Sequence, residues 1–318
     1  MTAQDSTPSL PSDTEDQVYV TVHAFTVGGL WFPAREVFQD SLHEPETVGS
    51  NIPFIAFLVT HPTKGRALFD LGLRKATVKN NEGYPPGMES TLEEFKVYCK
   101  EDMEGLLRQG GIEPTEIDRI IYSPHTYNFS HLHWDHVGDP TPFTSAEIIL
   151  GAESKPLLAE AFPHNPASRT NAFPDDRTVT FVDFGAGDAQ PFGTFARAVD
   201  LYDDGSLYLI DSPGHMPGNL ALAARVGPGA FVLHAGDTCH SRESYDPATR
   251  PLSELNYADL ETARATVQRL ARLHREFDNV VVVLSHEKER VDEMPLFPTP
   301  LNEWALGEIE KRRRARKE

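Results

Sequence analysis

Short β-branched runs alternate along the chain with stretches of helical spacing, and this alternation predicts most of the elements. Residues 18–27 alternate well enough for an edge strand, followed by an irregular Gly-Gly-Leu-Trp-Phe-Pro stretch at 28–33. Residues 52–60 and 66–69 read as a hairpin across Pro62-Thr-Lys-Gly65. Residues 91–108 carry Leu92, Phe95, Tyr98, Met103, Leu106 and Leu107 at helical spacing, ended by Gly110-Gly111. Further strands are expected at 116–123, 146–150, 179–184 and 206–210, and a strongly amphipathic helix at 260–277. Three more apolar runs end in chemistry-bearing residues. Residues 209–215 run into a glycine-rich turn at His215, 230–237 end in Asp237, and 280–286 end in His286. There is no internal repeat. Strands and helices in this order fit an α/β sandwich of two sheets.

Composition narrows the picture. A chain of 318 residues can bury one sizeable core. With 39% hydrophobic residues and no apolar run near about 18 residues, a membrane span is not expected. Residues 1–17, rich in Ser, Thr, Pro and Asp, lack the basic and apolar regions of a secretory signal and read as a disordered lead-in. The expected division is that lead-in, one sizeable domain over 18–308, and a basic tail over 309–318. Two cysteines, Cys99 and Cys239, are too few for a disulfide framework and point to a reducing, cytoplasmic setting. A net charge of −19 argues against a nucleic-acid partner.

The chemistry is concentrated in Ser130-His-Leu-His-Trp-Asp-His-Val-Gly138. Side chains of an extended segment alternate, so His131, His133 and Asp135 can share a side while His136 leaves at another angle. One loop thereby offers two imidazoles to one metal ion and a carboxylate plus an imidazole to a second. Such ligands suit Zn²⁺, with iron or manganese as alternatives.

This signature resembles that of the metallo-β-lactamase superfamily, whose fold is a four-layer αββα sandwich. The resemblance implies that His131, His133 and His215 hold one zinc ion, that Asp135, His136 and His286 hold the other, and that Asp237 bridges the two. Within the superfamily the chain is most similar to the N-acyl homoserine lactonase branch and related lactone- and lactam-opening hydrolases. The aromatic spacer in His-Leu-His-Trp-Asp-His, the Ser212-Pro-Gly-His-Met-Pro-Gly218 turn and the Asp70-Leu-Gly72 end of the early hairpin carry this likeness. It implies a two-zinc hydrolase that opens a small cyclic ester or amide through attack of metal-activated water on the carbonyl, with Asp135 shuttling the proton. The alternative is a zinc thioesterase of glyoxalase-II type with the same metals. Flavodiiron relatives carry an acid where this chain has His133.

Two departures from the pattern stand out. Residues 124–129 intervene between the expected strand and the metal loop, leaving His125 and Tyr127 near the pocket without an assigned role. Homoserine lactonases carry a Tyr three residues after the bridging Asp, where this chain has His240. A His there can donate a hydrogen bond or proton to the leaving group. Cys239 is expected to be a packed bystander and His234 a structural residue.

Overall fold

The computed structural model describes residues 7–75, 83–123 and 134–317. Among them, twelve strands form two six-stranded sheets. The first runs β1 (Thr21–Pro33), β2 (Gly49–His61), β3 (Gly65–Phe69), β4 (Arg119–Ile121), β5 (Glu147–Gly151) and β6 (Val179–Val182) in spatial order. Its first two pairings are antiparallel and the remaining three parallel. In the second sheet, β7 (Gln190–Phe192), β8 (Phe195–Asp200), β9 (Leu207–Asp211), β10 (Leu220–Gly227) and β11 (Ala230–His234) form an antiparallel meander. The closing strand β12 (Val280–Val283) pairs parallel to β11.

The two-residue period of the strands explains the layering. Ile55, Phe57 and Val59 of β2 face the second sheet and meet Leu207, Leu209, Leu222 and Val232 in the central core. Their neighbours Ala56 and Leu58 point the other way, into an outer layer with Met103 and Leu107. On the far side Ala221, Ala223, Phe231 and Leu233 pack against Val267, Leu270 and Leu273. Strands buried on both faces need near-continuous apolar sequence, and Val280–Val283 has it.

Seven α-helices accompany the sheets among the described residues, and the last of them packs on the central core through Ala305 and Ile309. They are α1 (Ala34–Val37), α2 (Glu89–Glu94), α3 (Met103–Gln109), α4 (Trp134–Val137), α5 (Leu260–Glu276), α6 (Lys288–Glu293) and α7 (Asn302–Ala315). None of the described helices is long and apolar enough to cross a membrane. Helix α5 is the one the sequence predicts best: Asp259 caps it by accepting from Thr262 N, and its apolar stripe covers the second sheet.

Four expectations need correction. The irregular stretch at 28–33 is the continuation of β1, which keeps pairing with β2 after a register shift between Thr26 and Gly29. The single helix expected over 91–108 is two short ones, α2 and α3, because Tyr98 leaves the helical path to pair with Gly29. The lead-in expected to be disordered is laid along the second sheet from Ser9 onward. Ser9 bridges Gly193, Leu10 joins the outer core, and Asp13 pairs with the fully buried Arg225. The basic tail does not begin at 309, because Ile309 is a buried residue in the middle of α7. Strands β7, β8 and β10 were not expected at all.

Candidate metal centre

The candidate residues gather at the carboxyl ends of the strands. Asp70 follows β3, Ser123 follows β4, His215 lies four residues beyond β9, and Asp237 and His286 lie three beyond β11 and β12. Asp135 and His136 come from α4. Backbone hydrogen bonds tie the two sheets together at this end, from Ile55 N to Ser285 O at 2.9 Å and from Leu220 N to Ser123 O at 2.9 Å. Asp237 can enter the space between the sheets because Gly236 precedes it at φ 54°. A Cβ on Gly236 would come within 2.6 Å of the Ser123 side chain.

Asp237 is the centre of the arrangement, with its carboxylate 1% exposed. His136 Nε2 lies 3.1 Å and His215 Nε2 3.4 Å from Oδ2, and His286 Nε2 lies 3.0 Å from Oδ1. Asp135 Oδ2 is 3.8 Å from His136 Nε2. A fourth imidazole, that of His240, places Nε2 3.5 Å from Asp237 Oδ2. Donor atoms therefore collect into two groups, Asp135 with His136 and His286, and His215 with Asp237 and His240. The first group brings together Asp135, His136 and His286, three residues expected to share one metal. His131, His133 and residues 124–130 lie outside the described residues.

The far sides of the rings are also held. His136 Nδ1 is 2.9 Å from Asp70 Oδ2, and Asp70 accepts from Ser123 N at 2.7 Å and Ser123 Oγ at 2.6 Å. His286 Nδ1 donates to Pro53 O at 3.0 Å. With Nδ1 acting as donor, each Nε2 presents a lone pair towards Asp237, the outer-shell arrangement found around metal-bound histidines. Burial lowers the His136 pKa, but the charges of Asp237, Asp70 and Asp135 outweigh it and hold the imidazole well above its ordinary value. Three carboxylates around one buried ring make a negative site that a divalent cation offsets. By donor chemistry, orientation and charge, the residues fit a divalent metal of the kind that the resemblance implies.

Nearby groups divide into wall and scaffold. Phe54 stands edge-on to His286 at 4.7 Å and to His136 at 5.8 Å, and Phe32 lies 5.8 Å from His240. Phe54, Tyr84, Met88, Phe95 and Trp134 continue this apolar surface. His234 accepts from Gly236 N at 3.1 Å and donates to Ile55 O at 2.8 Å, and burial lowers its pKa to about 4, so it is structural. Cys239 is fully buried and burial pushes its thiol up to about 12, which leaves no thiolate for nucleophilic work. Asp70 and Tyr257 were not among the expected site residues. The Asp-x-Gly after β3 signals Asp70, whereas Tyr257 lies 17 residues past His240 and has no local signal.

Two sheets flanked by helices, with imidazoles and carboxylates converging at the strand ends, define an αββα sandwich with a candidate metal centre. The chain belongs to the metallo-beta-lactamase superfamily, whose sequence profile matches residues 56–286. It is 29% identical over 301 residues to a cytochrome P450 monooxygenase of Penicillium roqueforti, covering 83% of this chain and 34% of that protein. The chain thus spans about a third of that relative's length. It is 28% identical over 323 residues to a gamma-lactamase of Fusarium pseudograminearum, covering 86% of this chain and 75% of the relative. Among solved structures, an N-acyl homoserine lactone hydrolase with N-hexanoyl-L-homoserine bound at its catalytic metal centre superposes with a TM-score of 0.64. That match has 18% identity and covers 89% of this chain and 99% of the other, a likeness of fold.

Proposed function

We propose that the protein is a metal-dependent hydrolase that opens a small cyclic ester or cyclic amide, using two zinc ions held by His131, His133, Asp135, His136, His215, Asp237 and His286. The observation that carries the reading is the convergence of imidazoles on the buried Asp237 directly behind an aromatic wall. Metal ions bound there would polarise a carbonyl and lower the pKa of an attacking water. The protein's own contribution is orientation and water exclusion. Asp70 and Pro53 O hold His136 and His286 in one tautomer, while Phe32, Phe54 and Phe95 take the apolar body of a substrate. Water adds to the carbonyl carbon, the ring C–O or C–N bond breaks, and the proton goes to the departing oxygen or nitrogen.

Of the two candidate proton carriers, Asp135 is the better placed. Its carboxylate is 14% exposed at the edge of the group, whereas the His240 side chain is 3% exposed. The lactam- and lactone-opening names of the relatives support ring opening over thioester cleavage. The test is turnover of the zinc-loaded protein on lactones, lactams and acyl-thioesters. Lactone or lactam opening should be the fastest, and Asp237→Ala should lose metal and activity together. Asp135→Asn should lower kcat by about 10²–10⁴-fold. Faster turnover of thioesters than of any ring substrate would overturn the reading.

A further inference from the structure

The environment of His240 differs from that of a proton donor facing substrate. Its Nδ1 lies 3.1 Å from the hydroxyl of Tyr257, itself a buried residue. Its Nε2 faces Asp237 Oδ2 at 3.5 Å, the oxygen that His136 and His215 also face. The ring lies parallel to that of His286, with 3° between the planes and centroids 5.5 Å apart, and 5.2 Å from the ring of His215. At 3.5 Å the Nε2–carboxylate separation is too long for a good hydrogen bond. It is the spacing of two donor atoms that share a centre between them.

When Nδ1–H donates to the Tyr257 oxygen, the Nε2 lone pair points at that centre. Tyr257 then does for His240 what Asp70 does for His136 and Pro53 O for His286. We propose that His240 is an added metal ligand beside His215 and Asp237, facing the divalent cation those two residues share, and that Tyr257 is the positioning residue that sets its tautomer. The residue acts as an added protein ligand at the place where a proton donor was expected, and proton delivery stays with Asp135. This assignment rests on the proposed metal dependence but not on the substrate.

Cobalt reads the coordination directly. The full chain, freed of metal with a chelator, is titrated with Co²⁺ while its visible absorption is recorded, and zinc affinity is measured by chelator competition. His240→Ala should change the cobalt spectrum and weaken one of the bound metals by about 100-fold or more. Tyr257→Phe, which removes only the supporting hydroxyl, should weaken the same metal by about tenfold. Should circular dichroism show that His240→Ala has lost its fold, His240→Gln, of similar bulk, carries the same expectation. A wild-type cobalt spectrum and zinc affinity in a folded His240 variant would overturn the proposal. Ring opening that fails in the wild type while the cobalt result holds would remove the proposed substrate and leave the ligand assignment standing. The converse pair of results would do the reverse.

Discussion

Asp70 occupies a backbone conformation that few side chains adopt, with φ at 61°. Its carboxylate accepts from Ser123 N, Ser123 Oγ and His136 Nδ1 at once, so one residue ties the ends of β3 and β4 to a candidate ligand. Aspartate suits both demands, since it tolerates the left-handed region and only accepts. Asparagine keeps the backbone tolerance but can turn an N–H towards His136 Nδ1, which favours the tautomer with a proton on Nε2. Asp70→Asn should therefore weaken metal binding by roughly 10–100-fold with the circular dichroism spectrum unchanged. Chelator competition measures it, and unaltered affinity would show that Asp70 does not set the tautomer.

The elements act as fixed mounts for single residues. The turn between β9 and β10 presents His215 because Gly214 takes φ 124° and lets the chain run against the start of α5. A Cβ on Gly214 would sit 2.3 Å from Ala263 N and 2.4 Å from Ala263 Cα. Hydrogen bonds from Asp259 N to Gly214 O at 3.0 Å and from Ala258 N to His215 O at 2.9 Å hold the turn to that helix. Gly214→Ala must open the contact between turn and helix. The expected result is a loss of about 1–3 kcal/mol in urea unfolding, together with reduced metal content as His215 is displaced. A variant with full stability would mean that α5 can yield here.

Across the whole molecule, the buried edge between α5, α7 and β12 collects basic residues. Arg242 pairs with Glu287 and also points Nη1 at His274 Nε2 at 3.1 Å, while Arg312 Nη1 donates to Val280 O at 2.8 Å. Burial, followed by the charges of Arg242, Arg312, Arg290 and Arg275, lowers the His274 pKa to about 3. The unfolded chain takes up a proton on this residue below about pH 6.5 and the folded chain does not, so stability falls as pH drops from about 6.5 towards 3. His274→Gln should flatten that acid slope in the urea midpoint, with little change near neutral pH. Equal slopes in the two proteins would show that His274 does not contribute to the loss.

Local pattern was enough for the candidate metal ligands and the strands that carry them. His215, Asp237 and His286 follow apolar runs whose period is visible in the residues alone, His136 stands in the histidine-rich signature, and α5 announces itself by its cap and stripe. The rest depends on contacts between distant positions. The extension of β1 through Gly29 rests on pairing with β2 and Tyr98, and the short α2 and α3 follow from the same pairing. Residues 9–17 are ordered because Asp13 meets an arginine 212 positions away. Tyr257 enters the site because an irregular loop folds back onto His240, 17 residues earlier, leaving no periodic trace. Periodicity reports which face of an element is buried, and it is silent on which distant residue comes to lie against it.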